Sequence, residues 1–428
     1  VTNDDQTIAE QILSRAAGKA VSAGEFVTPE ADLITVHDWY TVNAFRTLQA
    51  FGVDRLAAPD KVLLCTDHEP LAVSPAAFAR QRQIAQIAER YGIKAHYPAG
   101  RGGLGHVFPV ERGIVRPGMF VLAYDTHVTN YGAIGALGIP ILTEVAEVLA
   151  LGSVWVAVPE TLRIDLIGRL GPGISARDAA QKIIGTIDQR LFEDAVVEFG
   201  GPALADLDID ARFTICNTPL EVGAVSAIFE VDAFARDYSA ARTSEPIALL
   251  APGANARYRD RVTFDLSAVE PQVAIPPTPD NVVGIATVAG TRIQHAYIGS
   301  CASGMITDMR IAAQILKGRR VDANVRLIIT PATQEVMEIS AREGLIAIFA
   351  EAGAMVTVPG CGVCAGGRIG GVASGETSIG TGTRNEPGRL GAHDAILHIA
   401  SPATVAASAV AGFITDPRAY LNLAEKTQ

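Results

Sequence analysis

Short apolar β runs alternate with helical stretches along this chain, and that alternation restricts the fold to α/β units with mostly parallel sheets. KVLLCTDH (61–68), GMFVLAYDTH (118–127) and SVWVAVP (153–159) read as strands. Between the first two, PAAFARQRQIAQIAERYG (75–92) has helical periodicity and stops at Gly92. The middle section holds a helical stretch, ISARDAAQKIIGTI (174–187), and an apolar β run, RFTICN (212–217). EPQVAIPPTPDN (270–281) is rich in proline, lacks periodicity and reads as a linker. Beyond it, the β runs HAYIGSC (295–301) and VRLIITP (325–331) flank helical ITDMRIAAQILKGRR (306–320), and helical TQEVMEISAREGLIAIFAEAG (333–353) follows. Three α/β subdomains are expected: 1–158, 159–284 ending in the linker, and 285–428. A chain of 428 residues can bury such cores without disulfide or metal staples.

Charge and cysteine usage narrow the function classes. Lys and Arg total 35 against 46 Asp and Glu, a net charge of −11. An acidic chain with no basic run is unsuited to nucleic acid or an anionic membrane. An anionic substrate must instead be drawn in by local arginines. Five cysteines are an odd count, and no secretory framework is visible. The start, VTNDDQTIAEQILSRA, is acidic and helical rather than a signal peptide. The uncharged stretch 395–415 raises the question of a membrane span, but it contains His398, Ser401 and Pro402. It reads as a buried helix capped by Ser401, with Pro402 in its first turn. A soluble, cytoplasmic protein is expected.

Several polar residues sit where parallel sheets gather ligands, beyond the carboxyl ends of strands. Two β runs end in Asp67-His68 and Asp125-Thr126-His127, and His106 lies in GGLGHVF. An Asp beside a His fixes the imidazole tautomer and supports acid/base work, although such pairs also occur as purely structural contacts. His37, His96, His295, His393 and His398 read as surface or core. Cys361 and Cys364 form a Cys-x-x-Cys on the glycine-rich loop PGCGVCAGG, and Cys301 ends a β run. This spacing suits a metal or cluster, a redox dithiol, or two unrelated thiols. Three thiolates with no obvious fourth ligand suit an Fe–S cluster with one open iron better than structural zinc. Cys65 and Cys216, in apolar β runs, read as small buried hydrophobes. Arg384 and Arg389, in TGTRNEPGRLG, match either a carboxylate-binding pair or two surface arginines. Glu221 follows Asn217 by four residues, so both share a face if that stretch is helical.

Jointly, DHEP, GHVFPVERGIVRPGM, DTHVTNYGAIGALG, TICNTPLEVGA, EPQVA, IGSC, PGCGVC and RNEPGR resemble the aconitase superfamily over nearly the whole chain. The nearest branch is the large subunits of 3-isopropylmalate dehydratase and their archaeal-type homoaconitase relatives. The resemblance implies aconitase-like domains 1–3 without the swivelling fourth domain. It implies a [4Fe–4S] cluster on Cys301, Cys361 and Cys364. It gives Asp67 and His68 the departure of hydroxide as water, with His106, Asp125, His127 and Glu221 as the surrounding acid/base shell. Arg384 and Arg389 would hold substrate carboxylates, with Asn217 in the same shell. The general base would be a serine on a mobile domain. The chain ends at AEKTQ (424–428) without that domain, which implies a heterodimer with a small subunit carrying it.

The chain also departs from the family pattern. Ala302-Ser303 follows the first cysteine in place of Thr-Asn, Thr126 stands for Ser, Thr383 for Asn and Asn43 for a substrate-contacting Gln. AGGRIGG after PGCGVC is unusually rich in glycine. These changes leave the substrate open. The expectation is a hydro-lyase or isomerase acting on a hydroxy-di- or tricarboxylate, as in the 3-isopropylmalate step of leucine biosynthesis. The alternative within the superfamily is a maleate- or citraconate-type hydratase or a substituted-malate dehydratase. Remote alternatives are a non-catalytic iron sensor and a zinc or dithiol protein.

Overall fold

Leu33–His37 is buried at every position, as a strand must be when both faces of its parallel sheet are covered. The computed structural model describes residues 3–421. In chain order the strands are β1 (Phe26–Val27), β2 (Leu33–His37), β3 (Val62–Cys65), β4 (Ala95–Tyr97), β5 (Phe120–Tyr124), β6 (Leu137–Pro140), β7 (Val156–Ala157), β8 (Thr161–Ile167) and β9 (Val196–Gly200). They continue with β10 (Ser226–Phe229), β11 (Asp260–Asp265), β12 (Gln272–Ala274), β13 (Val282–Gly284), β14 (His295–Ile298), β15 (Arg326–Ile329), β16 (Met355–Val356), β17 (Thr377–Gly380) and β18 (Ile396–Ala400).

Two compact units result. The first takes the described chain up to Leu166 together with Asp188–Phe264. Its main sheet has the order β4-β3-β2-β5-β6, parallel throughout. A smaller sheet runs β10-β9-β8-β11. The second unit takes Ile167–Ile187 and the described chain from Asp265 onward. Its seven-stranded sheet has the order β13-β12-β18-β17-β14-β15-β16. Five neighbours in it, β18-β17-β14-β15-β16, are parallel.

The two units repeat one topology. In each five-stranded parallel set, the first strand has the second and third on one side and the fourth and fifth on the other. The winding direction therefore reverses beside β2 in one unit and beside β14 in the other. A parallel sheet opens a crevice at such a reversal, beyond the carboxyl ends of its strands.

Local chemistry explains most of the elements. Pro75–Tyr91 is a helix because Ser74 accepts from Ala77 N, Pro75 occupies the first turn and Gly92 closes it in the left-handed region. Pro402–Ala411 starts in the same way on Ser401, and its residues are buried up to Ala409. Among the described residues no helix is long and apolar enough to cross a membrane.

Four sequence expectations are corrected. The proline-rich stretch 270–281 is not a linker: Gln272–Ala274 is a buried strand paired with β13 and β18, Pro271 precedes it, and Pro276, Pro277 and Pro279 lie in the turn between β12 and β13. RFTICN is helical, within Ile209–Asn217, because Asp208 caps that helix by accepting from Ala211 N. SVWVAVP supplies only β7, antiparallel to β1, outside the parallel sheet. The stretch 333–353 is two helices, Gln334–Arg342 and Leu345–Ala352, broken at Gly344 with φ +74°. The C-terminal AEKTQ lies outside the described residues.

One close approach fixes the segment Thr126–Ile134 against β10. A Cβ added at Gly132 would stand 1.8 Å from the backbone oxygen of Ala227. Gly52, at φ +71°, has nothing within 4 Å of the same atom. Gly132→Ala is expected to cost at least about 3 kcal/mol or to prevent folding, since backbone must move. Gly52→Ala is expected to cost only the left-handed penalty, about 1–2 kcal/mol. Urea unfolding of the two variants checks the ranking.

Candidate active site

The reversal beside β2 brings together the residues that follow three strands. His37 ends β2 and is followed by Asp38; Asp67 and His68 follow β3; Asp125, Thr126 and His127 follow β5. His106 comes from the loop between β4 and β5. Asp67 shares its carboxylate: Oδ1 lies 2.9 Å from His68 Nδ1, and Oδ2 lies 2.8 Å from His37 Nδ1 and accepts from Gly105 N at 2.9 Å. His68 Nε2 lies 3.1 Å from Asp125 Oδ2, and His106 Nε2 lies 3.1 Å from Asp125 Oδ1. The result is a buried chain, His37–Asp67–His68–Asp125–His106.

Asp38 braces this chain from the first turn of the helix Asp38–Ala50, accepting from His68 N and Glu69 N at 3.2 and 2.9 Å. The Trp39 ring lies over His68 with centroids 4.5 Å apart, and Tyr40 meets it edge-on at 5.9 Å. Gly105 has to be glycine: an added Cβ would be 2.5 Å from both Cys65 Sγ and His37 Cε1. A second couple stands in the same unit. His127 Nε2 is 2.8 Å from Glu221 Oε1, and Asp125 Oδ1 accepts from His127 N at 3.3 Å. Thr126 Oγ1 lies 3.4 Å from His127 Nδ1. Asn217 ends its helix and donates to Asn130 Oδ1 at 2.8 Å, while Glu221 sits on the 3-10 turn that follows.

The electrostatics separate the members. Burial raises the Asp67 carboxyl, but the facing His37 and His68 outweigh it and hold the group well below the usual carboxylate range. Asp125 behaves alike: burial opposes ionisation, and hydrogen bonds from His106 and His68 prevail. His106 falls to about 4, through burial and then repulsion from His37. Burial lowers His37 too, but Asp67 raises it further, and the net shift is upward. Both nitrogens of His68 face carboxylate oxygens, Nδ1 that of Asp67 and Nε2 that of Asp125.

In the second unit, Cys301 stands three residues past the end of β14. Ser300, just before it, has φ +74° and donates from Oγ to Thr381 O at 2.8 Å. The loop 359–371 is tied to the sheet at several points: Tyr297 OH donates to Cys361 O at 2.9 Å, His295 Nε2 lies 2.9 Å from Gly370 O, and Arg326 Nη2 donates to Gly371 O at 3.4 Å. Burial lowers His295 to about 4. Gly362 admits no side chain, since a Cβ would meet Thr330 Oγ1 at 2.4 Å. Thr383 Oγ1 and Arg389 Nη2 each stand 3.9 Å from Cys364 Sγ. Asn385, in the same loop as both, is 1% exposed, and neither amide atom has a partner among the described residues. Arg384 is half-buried. None of the five cysteines is in a disulfide, and burial pushes the Cys65 and Cys216 thiols up.

The structure thus brings Asp67, His68, His106 and Asp125 into one network, His127 and Glu221 into a second couple, and Cys364 beside Thr383 and Arg389. Asn43 lies exposed on Asp38–Ala50, apart from these contacts. Sequence reasoning missed His37, Asp38, Gly105, Asn130 and Asn385. The first two had a signal: LITVHD is a third apolar run ending in His and Asp.

His106 and His295 are held neutral when folded. An unfolded chain takes up their protons as pH falls through 6.5, the folded chain only near 4. Stability is therefore expected to fall across that interval, by about 1.4 kcal/mol per pH unit for each histidine. Urea unfolding between pH 7 and 4 should show a shallower decline in His295→Gln.

Comparison with known proteins agrees with this arrangement. The model of the aconitase family (aconitate hydratase) matches residues 10–412. The 3-isopropylmalate dehydratase large subunit 1 of Methanopyrus kandleri is 37% identical over 417 residues, covering 97% of this chain and 100% of that protein. The protein of the same description from Archaeoglobus fulgidus is 39% identical, with 96% and 99% covered. The methanogen homoaconitase large subunit of Methanocaldococcus jannaschii is 36% identical, also with 96% and 99% covered. This chain belongs to the aconitase family, as a hydro-lyase of the large-subunit type.

Proposed function

We propose that the chain is the catalytic subunit of an iron–sulfur hydro-lyase that dehydrates and rehydrates a hydroxy-di- or tricarboxylate of the 3-isopropylmalate kind. The observation that carries this reading is the His68 imidazole held between two buried carboxylates at the reversal beside β2. Loss of water needs a proton delivered to a poor leaving group, hydroxide. His68 is the donor in this reading. Asp67 holds Nδ1, and the proton on Nε2, shared with Asp125, is the one transferred. His127, oriented by Glu221, hydrogen-bonds a substrate oxygen. Arg384 and Arg389 clamp carboxylates and stabilise the charge that develops when the neighbouring carbon loses its proton. Asn217 and Thr126 complete the proposed substrate shell.

The family carries an iron–sulfur cluster. The sulfurs of Cys301, Cys361 and Cys364 on loops of one unit, with a hydroxyl and a guanidinium near Cys364 Sγ and an orphaned amide in Asn385, fit a [4Fe–4S] cluster. When bound, such a cluster supplies Lewis-acid polarisation of substrate oxygens. The large-subunit relatives imply a small-subunit partner. In our reading that partner carries the serine base on its mobile domain, the pair works in the cytoplasm, and it serves leucine biosynthesis.

A second substrate class is favoured by one feature. The rings of Trp39, Tyr40 and Tyr124 form a wall beside His68, which suits a small or flat acid such as maleate or citraconate. Assays of the reconstituted complex should include both classes. Turnover of neither would overturn the proposal. His68→Asn is expected to lower kcat by about 10²–10⁴-fold. Cys364→Ser is expected to lose iron on purification, read by iron and sulfide analysis. One zinc and no iron in the anaerobically purified protein would favour a zinc site instead.

A further inference from the structure

We infer that His37 is a positioning residue for the proton donor, acting through Asp67. This rests on the reading of His68 as that donor. His37 is fully buried at the end of β2, where core packing alone would favour an aliphatic side chain. Placing an imidazole there costs desolvation unless its polar atoms are used. Only one is: Nδ1 lies 2.8 Å from Asp67 Oδ2, whereas Nε2 has no partner among the described residues. The ring's polar contact is therefore directed at Asp67.

The geometry shows what that contact does. Asp67 has two oxygens and three donors. His37 Nδ1 and Gly105 N occupy Oδ2, which leaves Oδ1 for His68 Nδ1. With Oδ2 held, the carboxylate cannot rotate away, and His68 keeps Nε2 turned to Asp125. His37 also draws negative charge off Asp67, so His68 is a stronger acid than it would be beside an unshared carboxylate. The groups facing the pair are Asp38 from the helix Asp38–Ala50, Asp125 after β5, His106 from its loop, and Cys65 of β3, whose thiol burial keeps neutral. His106 stacks on His37 with centroids 4.4 Å apart, which fixes the ring plane.

The test compares three variants in the reconstituted complex. His37→Leu removes the donor. It is expected to lower kcat by about 10–100-fold, to leave KM within about threefold, and to move the alkaline limb of the pH profile upward by about one unit. His37→Gln can still donate to Oδ2 and should recover most of the rate. In an Asp67→Asn background, His37→Leu should have little further effect, because the two act as one unit. A wild-type profile in His37→Leu, or a full further loss in the Asp67→Asn background, would overturn the inference. Should His37→Leu fail to fold, His37→Asn replaces it, being too short to reach Oδ2. The 15N shifts of His68 in histidine-labelled complex report the same displacement without turnover. Absence of activity in the wild type would thus remove the functional reading, while unchanged His68 shifts in His37→Leu would remove this inference.

Discussion

Parallel strand order is the constraint on which the rest depends. Strands β2, β3 and β5 run the same way, so the residues that follow them emerge at one edge of one sheet. Because β3 and β5 lie on opposite sides of β2, their connections diverge and leave an opening there. His37-Asp38, Asp67-His68 and Asp125-Thr126-His127 are the residues at that opening. The second unit applies the same rule to different chemistry. Cys301 follows β14, the Thr381–Arg384 segment follows β17, and β15 leads to Thr330 beside the cysteine loop. One topology, used twice, presents imidazoles and carboxylates in one place and thiols and guanidiniums in another.

Such a site works against stability. Asp67 and Asp125 are ionised and buried, a state that costs several kcal/mol per ion unless partners compensate. Compensation here is dense: each carboxylate meets two imidazoles and at least one backbone N–H. One of these backbone donors requires a glycine. Gly105 places its N–H on Asp67 only because it has no side chain to strike His37 and Cys65. Gly132 lets the segment bearing His127 and Asn130 lie directly on β10.

The sequence was legible where periodicity and strand-end chemistry were local. Asp67-His68 and Asp125-Thr126-His127 could be singled out because each follows an apolar run. His37 followed an apolar run as well, in LITVHD, but a single histidine in a buried strand looks like core until its partner, thirty residues on, is placed opposite. RFTICN shows the limit of composition: Phe213, Thr214 and Ile215 suit a strand, but the Asp208 cap upstream decides for a helix. The proline-rich stretch shows the converse. Three of its four prolines mark a turn, and Gln272–Ala274 ahead of that turn joins a sheet as β12, a pairing that depends on β18 more than a hundred residues away.

Trp39 and Tyr40 set the surroundings of His68. They occupy the first turn of the helix that Asp38 begins, and Asp38 binds the backbone of His68 and Glu69. The aromatic wall is thus registered to His68 by two backbone hydrogen bonds, so that a change of helix position would move both together. Asp38 and His37, adjacent residues at the end of β2, thus define two sides of that histidine's surroundings: one binds its backbone, and the other shares the carboxylate that faces its Nδ1.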